Sequence, residues 1–285
     1  MEFLKFLEMH RTSFLNAFFN LVTLPGEDTV LVVLIAVVYF IFSKESAKKV
    51  LFITLVSLNI NGIIKNLVKL PRPFSEGKVS CLRPETATGY SFPSGHTQNF
   101  ATWSSAFALS IKNNLLLILS ILMTILVAFS RMYLGAHYPG DVLTGAVLGF
   151  GMSFVFNVLY SKVKNIDLIY KITFLIVTPF ALFFSLKPDI LFEDFFKTYG
   201  MTAGFICAVK FEETFVSLSN NTSIFKRILR VFICILLVLA EKKLIGLLPS
   251  PENVSVALIL DSLKYFLIVL AGFALCPLLF KKIKI

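Results

Sequence analysis

Charge is scarce in this chain, and histidine and cysteine are scarcer: Asp, Glu, Lys and Arg make up 15% of 285 residues, with three His and four Cys. So little charge leaves 56% hydrophobic content, 31 Phe included, and more apolar surface than one soluble core can hide. This excludes an ordinary soluble enzyme and predicts a polytopic membrane protein. The cysteines form neither a disulfide framework nor a metal cluster. Cys81, Cys207, Cys234 and Cys276 lack ligand spacing, and all but Cys81 lie in apolar runs as small packing residues. Acidic residues are outnumbered, 17 against 27 Lys and Arg, for a net charge of +10. The cations lie beside apolar runs rather than in a basic stripe, which fits membrane flanks and argues against nucleic acid as a partner. A cleavable signal peptide is not expected either. Glu2, Glu8, His10 and Arg11 interrupt the apolar start, where a basic stretch and a small-residue cleavage site would be needed.

What is present is a stack of apolar segments. Residues 1–27 read as an N-terminal amphipathic helix at the membrane interface, with Phe3, Leu4, Phe6, Leu7, Phe14, Leu15, Phe18 and Phe19 set among charges. An alternative lets residues 3–24 span as well. Nine candidate spans follow near 28–43, 49–69, 96–112, 114–133, 140–161, 167–186, 199–218, 227–248 and 257–280, most of them near the roughly 20 residues needed to cross the hydrocarbon. If the spans alternate, the connections holding Lys44, Lys48 and Lys49, then Lys112, then Lys162 and Lys164, then Lys226, Arg227 and Arg230, and the tail Lys281, Lys282 and Lys284 share one side. That side is expected to be cytoplasmic. Arg72, Lys78 and Arg83 fall on the other side, against the bias, as charges kept for chemistry can.

The polar interruptions carry chemistry. Lys65 stands near the end of an apolar helix, and Arg72 is held between Pro71 and Pro73, whose fixed backbone angles stop the helix and set the loop direction. Arg131 closes another span and offers a planar fork of donors suited to phosphate oxygens. Taken singly, each cation reads more readily as a snorkelling residue at a membrane boundary. Pro93-Ser94-Gly95-His96 precedes a helical run and is expected to form its first turn. Free backbone N–H groups, the Ser94 hydroxyl and the close approach allowed by Gly95 make an anion cradle there, with His96 beside it as a proton donor. A plain capping turn is the alternative. His137 precedes Asp141 by four residues, and Pro139 suits the first position of the intervening helix start. The Asp141 carboxylate can fix the tautomer of His137 and leave the other ring nitrogen as a nucleophile. The alternative is a polar pair sealing a helix end.

Together, Lys65 with six residues and then Arg72-Pro73, Pro93-Ser94-Gly95-His96, and Ser130-Arg131 with five residues, His137, three residues and Asp141 resemble the three-part signature of the type 2 phosphatidic acid phosphatase superfamily. Every signature position matches, and the resemblance covers residues 10–162, including Asn59, Asn61 and Tyr133-Leu134-Gly135. It implies a helical bundle, and with the apolar segments this predicts an all-α, polytopic transmembrane helical bundle with a six-helix-type phosphatase core at residues 28–186 and a C-terminal extension of about three helices at 187–285, the resemblance itself weakening beyond residue 162. It also implies chemistry without a metal or other cofactor and an active site at the extracytoplasmic face. His137 would be the nucleophile, Asp141 its orienting partner and His96 the acid, with Lys65, Arg72, Ser94, Gly95 and Arg131 binding the phosphoryl group. The signature also serves soluble haloperoxidases that hold vanadate, a branch the membrane spans argue against.

The expected partners are the bilayer and a membrane lipid phosphate: phosphatidate, phosphatidylglycerol phosphate, a polyprenyl diphosphate or a sphingoid phosphate. The cell membrane is the expected location. A phosphotransferase on the same fold and a non-enzymatic lipid transporter or scaffold are the competing classes. An anion binder, however, has no use for an in-line nucleophile. Beyond residue 162, Lys210, Glu212, Glu213, Glu241, Lys242, Lys243 and Asp261 lie in or near apolar spans, and ion pairs between helices or interfacial snorkelling are expected to accommodate most of them, with a substrate-tail groove or a partner surface as the alternative.

Overall fold

The computed structural model describes residues 1–247 and 251–285, and among these every regular element is helical. The α-helices are α1 (Glu2–Met9), α2 (Ser13–Thr23), α3 (Asp28–Val37), α4 (Lys44–Val68), α5 (Gly95–Ser110), α6 (Asn114–Tyr133), α7 (Pro139–Lys162), α8 (Ile166–Leu186), α9 (Glu193–Phe211), α10 (Ile224–Gly246), α11 (Val254–Leu270) and α12 (Cys276–Lys282). Side-chain caps account for several starts. Thr12 caps α2 by accepting from Leu15 N at 3.2 Å, Asn113 caps α6 from Leu116 N at 3.0 Å, and Asn253 caps α11 from Val256 N at 3.2 Å. The expected nine spans all fall on helices, and the last residue of the 227–248 span lies outside the described residues. Among the described residues, five helices are long and apolar enough to cross a membrane, or six if Ser13–Gly26 and Asp28–Phe42 form one bent span, against the nine spans expected. The fold is an all-α polytopic membrane fold.

The structure refines two expectations. The N-terminal region is two helices rather than one, because Thr12 starts a new cap while the side chain of Arg11 is drawn to Tyr133 O at 2.8 Å and to Ser80 Oγ at 2.7 Å. α5 has 16 residues, about 24 Å at the helical rise, which is short of the roughly 30 Å hydrocarbon thickness. It is a buried central helix.

The chain divides into two compact units. The first comprises Met1–Leu31 and Ser57–Val163, with α5 at its centre between α6 and α7. α6 exposes Leu115, Ile118, Leu122 and Ile125 and buries Ser120, Thr124, Ser130 and Arg131, the apolar-out arrangement that lipid rewards. Hydroxyl pairs join the helices: Ser104 and Ser120 lie 2.5 Å apart, and Ser105 donates to Ser153 at 2.7 Å. Small residues set the α5–α7 distance, since a Cβ on Gly145 would lie 2.7 Å from Ser94 O and one on Gly149 would lie 2.7 Å from Gln98 O.

The second unit comprises Val32–Val56 and Lys164–Ile285. α9 packs closely on α11, where a Cβ on Gly204 would lie 2.5 Å from Phe266 O. Phe52, Tyr170, Phe205 and Phe273 form an aromatic cluster. Among the seven charges flagged in its apolar spans, Glu212 pairs with Lys44 at 2.6 Å, Glu213 with Lys48 at 2.7 Å, Lys210 with Asp167 at 3.2 Å and, within α11, Asp261 with Lys264 at 3.3 Å.

Candidate active site

Four helix ends meet at one end of the first unit, because α4, α5, α6 and α7 alternate in direction. Lys65 lies in the last turn of α4 and Arg131 in that of α6, where a cation complements the dipole. Ser94 is the N-cap of α5 and Tyr138 that of α7, so both of these helices present their positive ends to the same place. The Pro93-Ser94-Gly95-His96 run does form the first turn of its helix. Ser94 N donates to Asp141 O at 3.0 Å and ties the two N-termini together, while Ser94 Oγ and Thr97 Oγ1 lie 3.1 Å apart. Asn61 Nδ2 donates to Gln98 Oε1 at 2.8 Å and fixes α4 against the start of α5.

The loop from Lys69 to Pro93 is held by the cations themselves. Lys65 Nζ donates to Tyr90 O at 2.6 Å. Arg72 donates from Nε to Gly89 O at 2.9 Å, from Nη2 to Thr88 O at 2.5 Å, and from Nη1 to Ala136 O at 3.1 Å. Arg131, fully buried, donates from Nη1 to Thr86 Oγ1 at 3.3 Å and keeps a buried Nε with no hydrogen-bond partner. The Nε2 of His96 is likewise buried without a partner. Two such donor-capable atoms, together with the helix N-termini, are the parts an anion site needs.

Arg72 Nη1 also lies 3.1 Å from His137 Nε2. A guanidinium has no acceptor, so Nε2 must be the acceptor and the neutral ring carries its hydrogen on Nδ1. Nδ1 faces Asp141 Oδ2 at 3.4 Å. The carboxylate is held in turn by Tyr138 N at 2.9 Å and Ser91 Oγ at 2.5 Å. Burial comes first, followed by the nearby charges of Arg72, Lys65 and Arg131, in holding the His137 imidazole well below its ordinary pKa of 6.5. A neutral ring with a lone pair on Nε2 and a proton directed at a carboxylate has the form of an activated nitrogen nucleophile.

The structure therefore joins Arg72, His137 and Asp141 in one hydrogen-bonded chain, sets Ser94 beside Asp141, and brings the charges of Lys65 and Arg131 to bear on His137. Gly95 opens α5, with Asn61 Oδ1 3.7 Å from where its Cβ would be. Reading the sequence missed Ser91, which is fully buried and bonded to Asp141, and the carbonyls of Thr88, Gly89, Tyr90 and Ala136. Only the position of Ser91 just ahead of the Pro-Ser-Gly-His run could have signalled it.

Residues 46–165 match the family described as the PAP2 superfamily, and residues 196–285 match the PAP2 superfamily phosphatase transmembrane extension. The chain is 32% identical over 150 residues to the undecaprenyl-diphosphatase BcrC of Bacillus subtilis, covering 52% of this chain and 76% of that one. It is 28% identical over 155 residues to the undecaprenyl-diphosphatase of Sulfolobus acidocaldarius, covering 54% and 75%. Among solved structures, a transmembrane PAP2-type phosphatidylglycerolphosphate phosphatase from Bacillus subtilis aligns with a TM-score of 0.49 at 26% identity, covering 57% of this chain and 84% of that one. By these sequence matches the chain belongs to the PAP2 superfamily and is a multi-pass membrane phosphatase.

Proposed function

We propose that this protein is a metal-independent lipid phosphate or diphosphate phosphatase that works through a phosphohistidine at the extracytoplasmic face of the cell membrane. The observation that carries the reading is the chain Arg72–His137–Asp141, in which a guanidinium touches the nitrogen that would attack and a carboxylate faces the other. In the first step Nε2 of His137 attacks phosphorus and the bond to the leaving oxygen breaks. His96 gives that oxygen a proton, and Asp141 stabilises the charge on the imidazole. In the second step water attacks the phosphoryl group, His96 takes a proton from it, the P–N bond breaks and inorganic phosphate leaves. Lys65, Arg72, Arg131, Ser94 and the N–H groups at Gly95 hold the phosphoryl oxygens, so positive charge is in place before it is needed.

Residues 28–186 would form the phosphatase core, 187–285 its extension, and residues 1–27 an interfacial segment. The extracytoplasmic face is favoured because Lys112 and Lys162 lie at the opposite end of the first unit from the site. An anion site at the ends of lipid-facing helices suits a phosphate on a hydrophobic anchor, and the relatives named for undecaprenyl diphosphate make a polyprenyl diphosphate the first candidate. The test is one assay of purified protein against undecaprenyl diphosphate, phosphatidylglycerol phosphate, phosphatidate and sphingosine phosphate, with and without chelator. Phosphate release from at least one of them, unaffected by chelator, is expected. A strict need for added divalent metal would overturn the mechanism.

A further inference from the structure

We propose that the turn joining α2 to α3, residues 23–27, is a positioning element of the phosphate site, in which Thr23 holds Arg131 and Gly26 seats His96. This deepens the reading above and rests on it. The turn lies outside both matched segments, 46–165 and 196–285.

Thr23 and Arg131 are both 0% exposed, and Arg131 Nη1 donates to Thr23 Oγ1 at 3.2 Å. Arg131 also donates to the hydroxyl and carbonyl of Thr86, at 3.3 and 3.4 Å. The fork is thus gripped from two sides by neutral oxygens, which fix its direction without cancelling its charge. Gly26 lies against His96 so closely that a Cβ would come 2.8 Å from His96 O and 2.9 Å from His96 Cβ. A backbone carbonyl cannot swing away, so any side chain at 26 displaces either the turn or the start of α5.

The turn is also pinned along the same face of α5. Asn99 Nδ2 donates to Gly26 O at 3.0 Å and Trp103 Nε1 to Pro25 O at 3.1 Å. Positions 96, 99 and 103 follow the i, i+3, i+7 spacing of one helix face. A third anchor joins Glu27 to Arg83, 2.8 Å apart, on the loop that carries Thr86.

Two residues of one turn therefore act on two different functions, binding through Arg131 and proton transfer through His96. The experiment uses the full-length protein in detergent, with turnover of a short-chain lipid phosphate and competitive inhibition by inorganic phosphate as readouts. Thr23→Val is expected to raise KM and the phosphate inhibition constant about five- to ten-fold with kcat nearly unchanged, as the net contribution of a single hydrogen bond implies. Thr23→Ser is expected to behave as wild type. Gly26→Ala is expected to lower kcat by about ten-fold or more, since misplacing a proton donor acts on the chemical step, and to leave the inhibition constant nearly unchanged. A merely structural turn would move both readouts together.

An unchanged inhibition constant in Thr23→Val, or a Thr23→Ser variant as weak as Val, overturns the proposal. If Gly26→Ala does not fold, the Thr23 pair decides alone. Arg131→Ala separates the two layers. A wild-type inhibition constant there would remove the phosphate-site reading itself, whereas a raised constant there beside an unchanged Thr23→Val removes only the positioning role.

Discussion

Two lysines of the second unit and three cations of the first are held in opposite ways. In the second, Lys44 and Lys48 are neutralised by Glu212 and Glu213 across helices. In the first, Lys65, Arg72 and Arg131 donate to carbonyls and hydroxyls of Tyr90, Gly89, Thr88, Ala136, Thr86 and Thr23. Neutral acceptors fix a cation while leaving its field in place, and that field helps keep the His137 imidazole neutral. The Lys44 and Lys48 pairs hold helices together, whereas Lys65, Arg72 and Arg131 are poised for an anion.

Four changes should separate the two kinds of charge. The largest effect is expected from His137→Ala, which should reduce turnover by about 10⁴-fold or more, the scale of losing a nucleophile, while the protein keeps its detergent-solubilised fold by circular dichroism. Arg72→Ala should cost about 10²- to 10³-fold in kcat, and Arg72→Lys should recover little, because a point charge cannot reach Gly89, Thr88, Ala136 and His137 at once. Glu212→Ala should reverse the pattern. Breaking a buried pair costs about 3 kcal/mol of stability, read as a lower unfolding midpoint, while kcat per folded molecule stays at the wild-type value. A large kcat loss in Glu212→Ala with intact stability would erase the distinction between the units.

The smallest effect concerns pH. The pKa of His137 is lowered on folding, so below the unfolded value near 6.5 the unfolded chain binds a proton that the folded one does not. The stability contributed by the neutral ring is full above that value and falls as pH drops toward the folded pKa. His137→Gln should therefore lose less unfolding midpoint than wild type between pH 7 and 5. In the wild type, a histidine NMR spectrum at pH 6 should show His137 still neutral, and an imidazolium there would refute the electrostatic argument.

Long apolar runs made the helices legible in the sequence, and the spacing of Lys65, Arg72, His96, Arg131, His137 and Asp141 made the site residues legible as a set. What could not be read is what a side chain finds across space. Ser91 is one serine among many until α7 brings Asp141 to within 2.5 Å of it. Thr23 looks like any residue of an amphipathic helix until Arg131 reaches it. The carbonyls that grip Arg72 have no signature at all, since every residue carries one. The break of the N-terminal region at Arg11 depends on Tyr133 and Ser80, far away in sequence.

The atom that becomes bonded to phosphorus decides the mechanism. Rapid alkaline quenching of the enzyme during turnover of a ³²P-labelled lipid phosphate, followed by peptide mapping, tests this directly. An alkali-stable, acid-labile label on His137, absent from His137→Ala, is the expected result. A label on another residue, or phosphate release by His137→Ala at the wild-type rate, would contradict it.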